Sequence, residues 1–117
     1  MSKKWDGVFC ALWTPTDATG HLLKDELKTN LEFIRRHGTH GILALGSTGE
    51  FLHLELPARK YFLEQVMANA GSLRVLVNIS DIRPGAVAEL GRFARTIGAE
   101  GVAILPPYFF AVNQADL

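Results

Sequence analysis

The residues best suited to chemistry lie in one short stretch, Ala44-Leu45-Gly46-Ser47-Thr48-Gly49-Glu50-Phe51. Two hydroxyls stand side by side between two glycines, and glycine lets a backbone turn sharply and come close to a ligand. The Ser47 and Thr48 hydroxyls and the loop's amide N–H groups can therefore converge on a carboxylate or phosphate oxygen. The same four residues also compose an ordinary strand-to-helix turn, and their setting has to decide. Glu50 is a candidate general base, although a carboxylate bracing its own loop is the better reading. Asp81 reads as an N-cap near Pro84 in preference to a substrate contact. Tyr108 is either a wall of the site or an interface aromatic. His21, His37, His40 and His53 lack metal-site spacing such as H-E-x-x-H, so no metal is expected. Cys10 sits in an apolar run and reads as a small buried hydrophobe, not a nucleophile.

The elements that must position these groups alternate regularly. Gly7 to Trp13 is apolar at nearly every position, as in a parallel strand covered on both faces, and Thr14-Pro15 ends it. Asp17-Ala18-Thr19-Gly20 is a turn by composition. Leu27, Leu31 and Ile34 then recur at helical spacing, with Gly38 as the stop. A second strand, Gly41 to Leu45, runs into the glycine loop. Pro57 is tolerated in a first helical turn, Phe62, Val66 and Ala70 mark a buried stripe, and Gly71-Ser72 breaks that helix. Arg74 to Ile79 is a third β-rich run, ended by Ser80-Asp81. Pro84 opens a third helix with Val87, Leu90, Ala94 and Ile97 on one face, closed by Gly98. Gly101 to Leu105 is a fourth strand, stopped by Pro106-Pro107, with Tyr108-Phe109-Phe110 beyond it. Gly38 and Gly41 recur as Gly98 and Gly101, 60 residues on. Two βα units of about 30 residues fit that interval and give a parallel sheet. Ligands of such folds sit at the carboxyl ends of the strands. There Thr14, the Ser47-Thr48 pair, Asn78 and Tyr108 gather as a hydrogen-bonding pocket for a small oxygen-rich molecule, with Tyr108 and Phe109 as an aromatic wall.

Composition narrows the classes. The 117 residues are 48 % hydrophobic, enough for a core, and 12 basic residues balance 12 acidic ones. The charges are scattered, with no basic stripe to track phosphates, which argues against nucleic acid. Lys3-Lys4 reads as a solvated N-terminal tail. A single cysteine excludes an internal disulfide and fits a reducing compartment. No apolar run nears the roughly 18 to 20 residues that span a bilayer, and no signal peptide is evident, so a cytoplasmic protein without membrane association is expected. A (β/α)₈ barrel takes about 250 residues. Four strands and three helices fill under half of one, so residues 1–117 read as the N-terminal portion of a single barrel domain.

Thr14-Pro15 after the first strand, Gly46-Ser47-Thr48-Gly49-Glu50 after the second and Pro106-Pro107-Tyr108 after the fourth resemble the dihydrodipicolinate synthase / N-acetylneuraminate lyase family. The resemblance runs from Gly7 to about Leu117. It implies a TIM-barrel class I aldolase or lyase, in which a lysine forms a Schiff base with pyruvate or another 2-oxo acid, without a cofactor. By that likeness Gly46, Ser47, Thr48 and Gly49 hold the carboxylate, Thr14 lines the pocket, and Tyr108 shapes it. The Schiff-base lysine and a proton-relaying tyrosine would lie beyond Leu117. Lys24, Lys28 and Lys60 fall on predicted helices as solvated charges, so the isolated chain is expected to be inactive. Phe109 stands where the synthase branch has a second, proton-relaying tyrosine, which argues for a lyase acting on a sugar-acid derivative. A keto-deoxy sugar-acid dehydratase remains open, as does a non-catalytic module binding a small anion. The likeness also implies a homodimer or homotetramer.

Overall fold

The computed structural model describes residues 5–117, so Lys3 and Lys4 lie outside the described residues. The elements follow the expected order: β1 (Phe9–Ala11), α1 (Lys24–Arg36), β2 (Gly41–Ala44), α2 (Leu56–Asn69), β3 (Arg74–Asn78), α3 (Pro84–Thr96) and β4 (Gly101–Ala103). The strands form one parallel sheet in the order β1-β2-β3-β4. Short 3₁₀ turns at Phe51–His53 and Gln114–Asp116 complete the order.

Each helix forms for the reason its sequence gives. Leu27, Leu31 and Ile34 are the buried residues of α1, and acids in its first turn and arginines in its last complement the helix dipole. Pro57 and Pro84 occupy the first turns of α2 and α3, where a missing N–H costs nothing. Gly38 and Gly98 close α1 and α3 at φ of 79° and 84°. A residue with a Cβ is disfavoured at those angles.

The core lies between the sheet and its helices. Ile42, Ala44, Val75 and Val77 point into it, against Leu27, Leu31, Phe62, Val66 and Leu90. Burying each large side chain contributes about 1.5 to 3 kcal/mol. Alternate rows are set by register: Cys10, Ile42 and Val75 align in one, and Ala11, Leu43, Leu76 and Gly101 in the next. Cys10 is half-buried against the core.

Among the described residues β1 pairs with β2 alone, and the flanking Val8 and Trp13 are exposed. Two expectations are corrected. The strands are shorter than their apolar runs, because left-handed Gly7 and Leu45 bend the chain at the start of one and the end of another. Lys60 is not simply solvated, because it pairs with Glu89 across α2 and α3. Among the described residues, no helix is long and apolar enough to cross a membrane.

Candidate functional site

The glycine loop leaves β2 through Leu45, which has a left-handed φ of 61°, and ends at Glu50, with φ of 56°. The sharp turns therefore fall on two non-glycine residues flanking the loop, not on Gly46 or Gly49. Gly49 is favoured by close approach instead. A Cβ there would sit 3.0 Å from the Leu12 carbonyl and 3.2 Å from the Leu45 nitrogen. Its own carbonyl accepts a 2.7 Å hydrogen bond from the Thr14 hydroxyl, which ties the end of β1 to the loop. Thr14 is only 8 % exposed, so its hydroxyl braces the loop.

Ser47 and Thr48 are exposed at the tip of this loop. Among the described residues, neither their hydroxyls nor their N–H groups have a hydrogen-bond partner, although the Ser47 carbonyl accepts from the Glu50 N–H at 3.0 Å. Four donors on two adjacent residues are thus open to a ligand. Glu50 does not brace the loop as expected: its exposed carboxylate makes no hydrogen bond or ion pair among the described residues.

Beneath the tip runs a buried polar chain. Asn78 Nδ2 donates to the Leu45 carbonyl at 2.7 Å. The Ser80 hydroxyl donates to Asn78 Oδ1 at 2.6 Å, and the Leu105 N–H donates to Ser80 Oγ at 2.8 Å. The ends of β2, β3 and β4 are stitched together by these bonds. Asn78 is therefore committed to the scaffold and does not face a pocket as a free amide.

Arg59 of α2 was not singled out by sequence reasoning. It is 5 % exposed. Its guanidinium donates to the Leu54 carbonyl at 2.8 Å, to the Ser80 carbonyl at 3.3 Å and to Asp81 Oδ2 at 3.1 Å. One signal was available: Arg59 continues the stripe of Phe62 and Val66 at helical spacing, and an arginine on a buried face needs a partner. Asp81 is correspondingly not the N-cap of α3. Arg83 holds that place without a side-chain cap, and Asp81 accepts from the Arg83 N–H and guanidinium while pairing with Arg59. The Arg83 hydrogen bond, aided by the Arg59 charge, holds the Asp81 carboxyl down at about 2.

Tyr108 is half-buried and packs edge-on against Phe51, ring centroids 6.1 Å apart. Phe51 in turn lies under the Arg59 guanidinium. Tyr108 thus reaches the glycine loop through Phe51. Phe109 packs edge-on against Phe110 and is 73 % exposed, yet it shares a wall with Tyr108. Both line a crevice of about 470 Å³ with Val87, Leu105 and Pro107. Thr14, Thr48 and Glu50 line a separate one beside Trp13 and α1. Among the described residues, no group of three histidine, cysteine or acidic side chains could hold a metal.

A parallel βα sheet in this order, with its loops gathered at the carboxyl ends of the strands, defines the barrel class of α/β protein. The chain belongs to the dihydrodipicolinate synthetase family, whose model matches residues 4–117. A DapA-like lyase of Thermococcus onnurineus is 31 % identical over 111 residues, which are 95 % of this chain and 38 % of that protein. The 4-hydroxy-tetrahydrodipicolinate synthase of Methanospirillum hungatei is 31 % identical over 97 % of this chain and 40 % of its own length. Among solved structures, YagE of E. coli K12, determined in complex with pyruvate, superposes with a TM-score of 0.90 at 26 % identity. That match covers 97 % of this chain and 38 % of YagE. The Picrophilus torridus 2-keto 3-deoxygluconate aldolase superposes with a TM-score of 0.89 at 28 % identity, covering 96 % of this chain and 40 % of that one. The four strands are the first part of a (β/α)₈ barrel, and the chain spans about 38 % of the length of such relatives.

Proposed function

We propose that residues 1–117 form the carboxylate-holding, N-terminal portion of a single barrel domain that acts as a Schiff-base aldolase or lyase on a 2-oxo acid such as pyruvate. The observation that carries this reading is the open loop tip. Ser47 and Thr48 present two hydroxyls and two N–H groups, all without internal partners, at the carboxyl end of β2. Such donors suit a carboxylate, which only accepts hydrogen bonds. Gly46 and Gly49 bound the cradle, Thr14 fixes its far side, and Tyr108 shapes the neighbouring crevice.

The chemistry needs a lysine amine that condenses with the keto carbon and expels water. The resulting iminium takes up the electron pair as the C3–C4 bond of the 2-oxo acid breaks, which leaves an enamine; in the forming direction the iminium first loses a C3 proton, and the enamine supplies the pair. Lys24 and Lys28 lie on α1 and Lys60 on α2, so none of them ends a strand. By the family likeness the nucleophile ends a strand outside these residues, so the 117-residue chain alone is inactive. Phe109 has no hydroxyl to relay a proton, which favours sugar-acid cleavage over dihydrodipicolinate synthesis.

The test is intact mass of the natively expressed polypeptide after pyruvate and borohydride. One reduced pyruvate adduct is expected, and Ser47→Ala with Thr48→Val should raise the pyruvate needed for half-maximal trapping about tenfold or more. Absence of any adduct, at any pyruvate concentration, would overturn the Schiff-base reading for pyruvate.

A further inference from the structure

We propose that Asn78, oriented by Ser80, is a positioning residue that holds the glycine loop in its ligand-accepting shape. Leu45 is the hinge of the argument. A leucine at φ of 61° is in a strained conformation that persists only where its surroundings impose it. Its side chain is fully buried, which fixes one end of the residue. Its carbonyl is fixed by the 2.7 Å bond from Asn78 Nδ2. Ser47 and Thr48 begin two residues further on, so the direction in which Leu45 turns sets where their donors point.

The orientation of the Asn78 amide follows from donor counting. The Leu105 N–H can only donate, so Ser80 Oγ accepts there. The hydroxyl has one proton, and the remaining partner within reach is the Asn78 side chain at 2.6 Å. The atom facing Ser80 must therefore be the oxygen. The amide nitrogen is left facing the Leu45 carbonyl, which requires a donor. The Ser80 N–H, 3.4 Å from the same Oδ1, agrees with this assignment. Polarity thus runs one way from β4 through β3 to β2. An aspartate at 78 has the right shape and the wrong chemistry, since it would set a carboxylate oxygen against a carbonyl oxygen.

The proposal rests on the reading of the loop as a carboxylate cradle, but one arm of its test does not. In the natively expressed polypeptide, Asn78→Ala and Asn78→Asp are compared with Ile34→Val, a core change far from the loop. Hydrogen–deuterium exchange is followed over residues 45–51 without ligand, and borohydride trapping is titrated with pyruvate. Both Asn78 variants should speed loop exchange about tenfold while exchange in α1 and α3 stays as in the parent. Half-maximal trapping should need about tenfold more pyruvate, with trapping at saturation within about twofold. Ile34→Val should move neither readout. Ser80→Ala, which keeps Asn78 but frees its orientation, should give a smaller shift of the same sign and serves if the Asn78 variants fail to fold. Unchanged loop exchange, or faster exchange spread evenly over the helices, would overturn the positioning role. If the parent protein itself is not trapped, the Schiff-base reading falls, and the exchange arm still decides this one.

Discussion

The two ends of the sheet are held by different physics. At the amino end, close packing on glycine works beside two side-chain bonds, from the Val8 N–H to His40 Nδ1 and from the Arg74 guanidinium to the Asp6 carbonyl. Gly41 opens β2 beneath the Phe9 ring, and a Cβ there would also come within 2.6 Å of the Arg74 carbonyl. Gly101 opens β4 in the same way, against Trp5 and 3.0 Å from Leu76 Cδ2. The Arg74 guanidinium covers Phe9 from 4.9 Å. At the carboxyl end, directed hydrogen bonds do the work: Thr14 to Gly49, Asn78 to Leu45, Ser80 to Asn78 and Arg59 to three acceptors. Close approach to glycine distinguishes the amino end, and donor direction shapes the other. A site that must stay open to a ligand cannot be held by filling it.

If that contrast is right, one methyl group should harm the amino end most. Gly41→Ala is expected to cost about 3 kcal/mol or more, read as a fall in the urea midpoint. Phe9→Ala in the same chain should recover only part of this, because the Arg74 carbonyl stays in place. Arg59→Met, which keeps bulk but removes three hydrogen bonds, should cost about 2 to 3 kcal/mol at pH 7 by the same assay. A smaller loss would place the strength of the carboxyl end elsewhere.

Acid should distinguish the ends next. Asp81 is held at about 2 when folded, below the usual carboxylate value near 3.8. A lowered folded value means the unfolded chain binds protons first, so the stabilisation is full above about pH 4 and is lost as pH falls towards 2. The loss should be about 2 kcal/mol across that window, and Asp81→Asn should remove this part of the slope. Thr14→Val should have the smallest effect, about 1 kcal/mol, from leaving the Gly49 carbonyl without its donor. Its signature would be faster exchange confined to the glycine loop.

Much of this fold was legible because it rests on periodic burial and on punctuation. The stripes Leu27-Leu31-Ile34 and Phe62-Val66-Ala70, the prolines opening α2 and α3, and the glycines closing α1 and α3 all behave as their residue types require. The Thr-Pro, Gly-Ser-Thr-Gly-Glu and Pro-Pro-Tyr elements were enough to name the family. What escaped was whatever depends on a distant partner. Sequence reasoning puts sharp turns on glycine, but packing around Leu45 and the bond from Asn78 overrode that local preference. Arg59 drew no reading of its own, because its partner Asp81 lies 22 residues away. Asp81 was read as a cap because a local partner is the simplest one for a short acid, and two arginines outcompeted it.

The Ser80–Asn78 bond has a consequence for how this sequence can change over time. Losing Ser80 first leaves the Leu105 N–H without its acceptor and the Asn78 amide oxygen with the Ser80 N–H alone, and losing Asn78 first leaves the Leu45 carbonyl without its donor. Each single step is penalised, whereas a joint change that relieves the left-handed strain with a glycine at position 45 and supplies new partners for the position-45 carbonyl and the Leu105 N–H is not. The three positions are thus epistatic. A lineage that departs from this arrangement should be found to have changed them as a set, and ancestral intermediates carrying one change alone should be the least stable of the series.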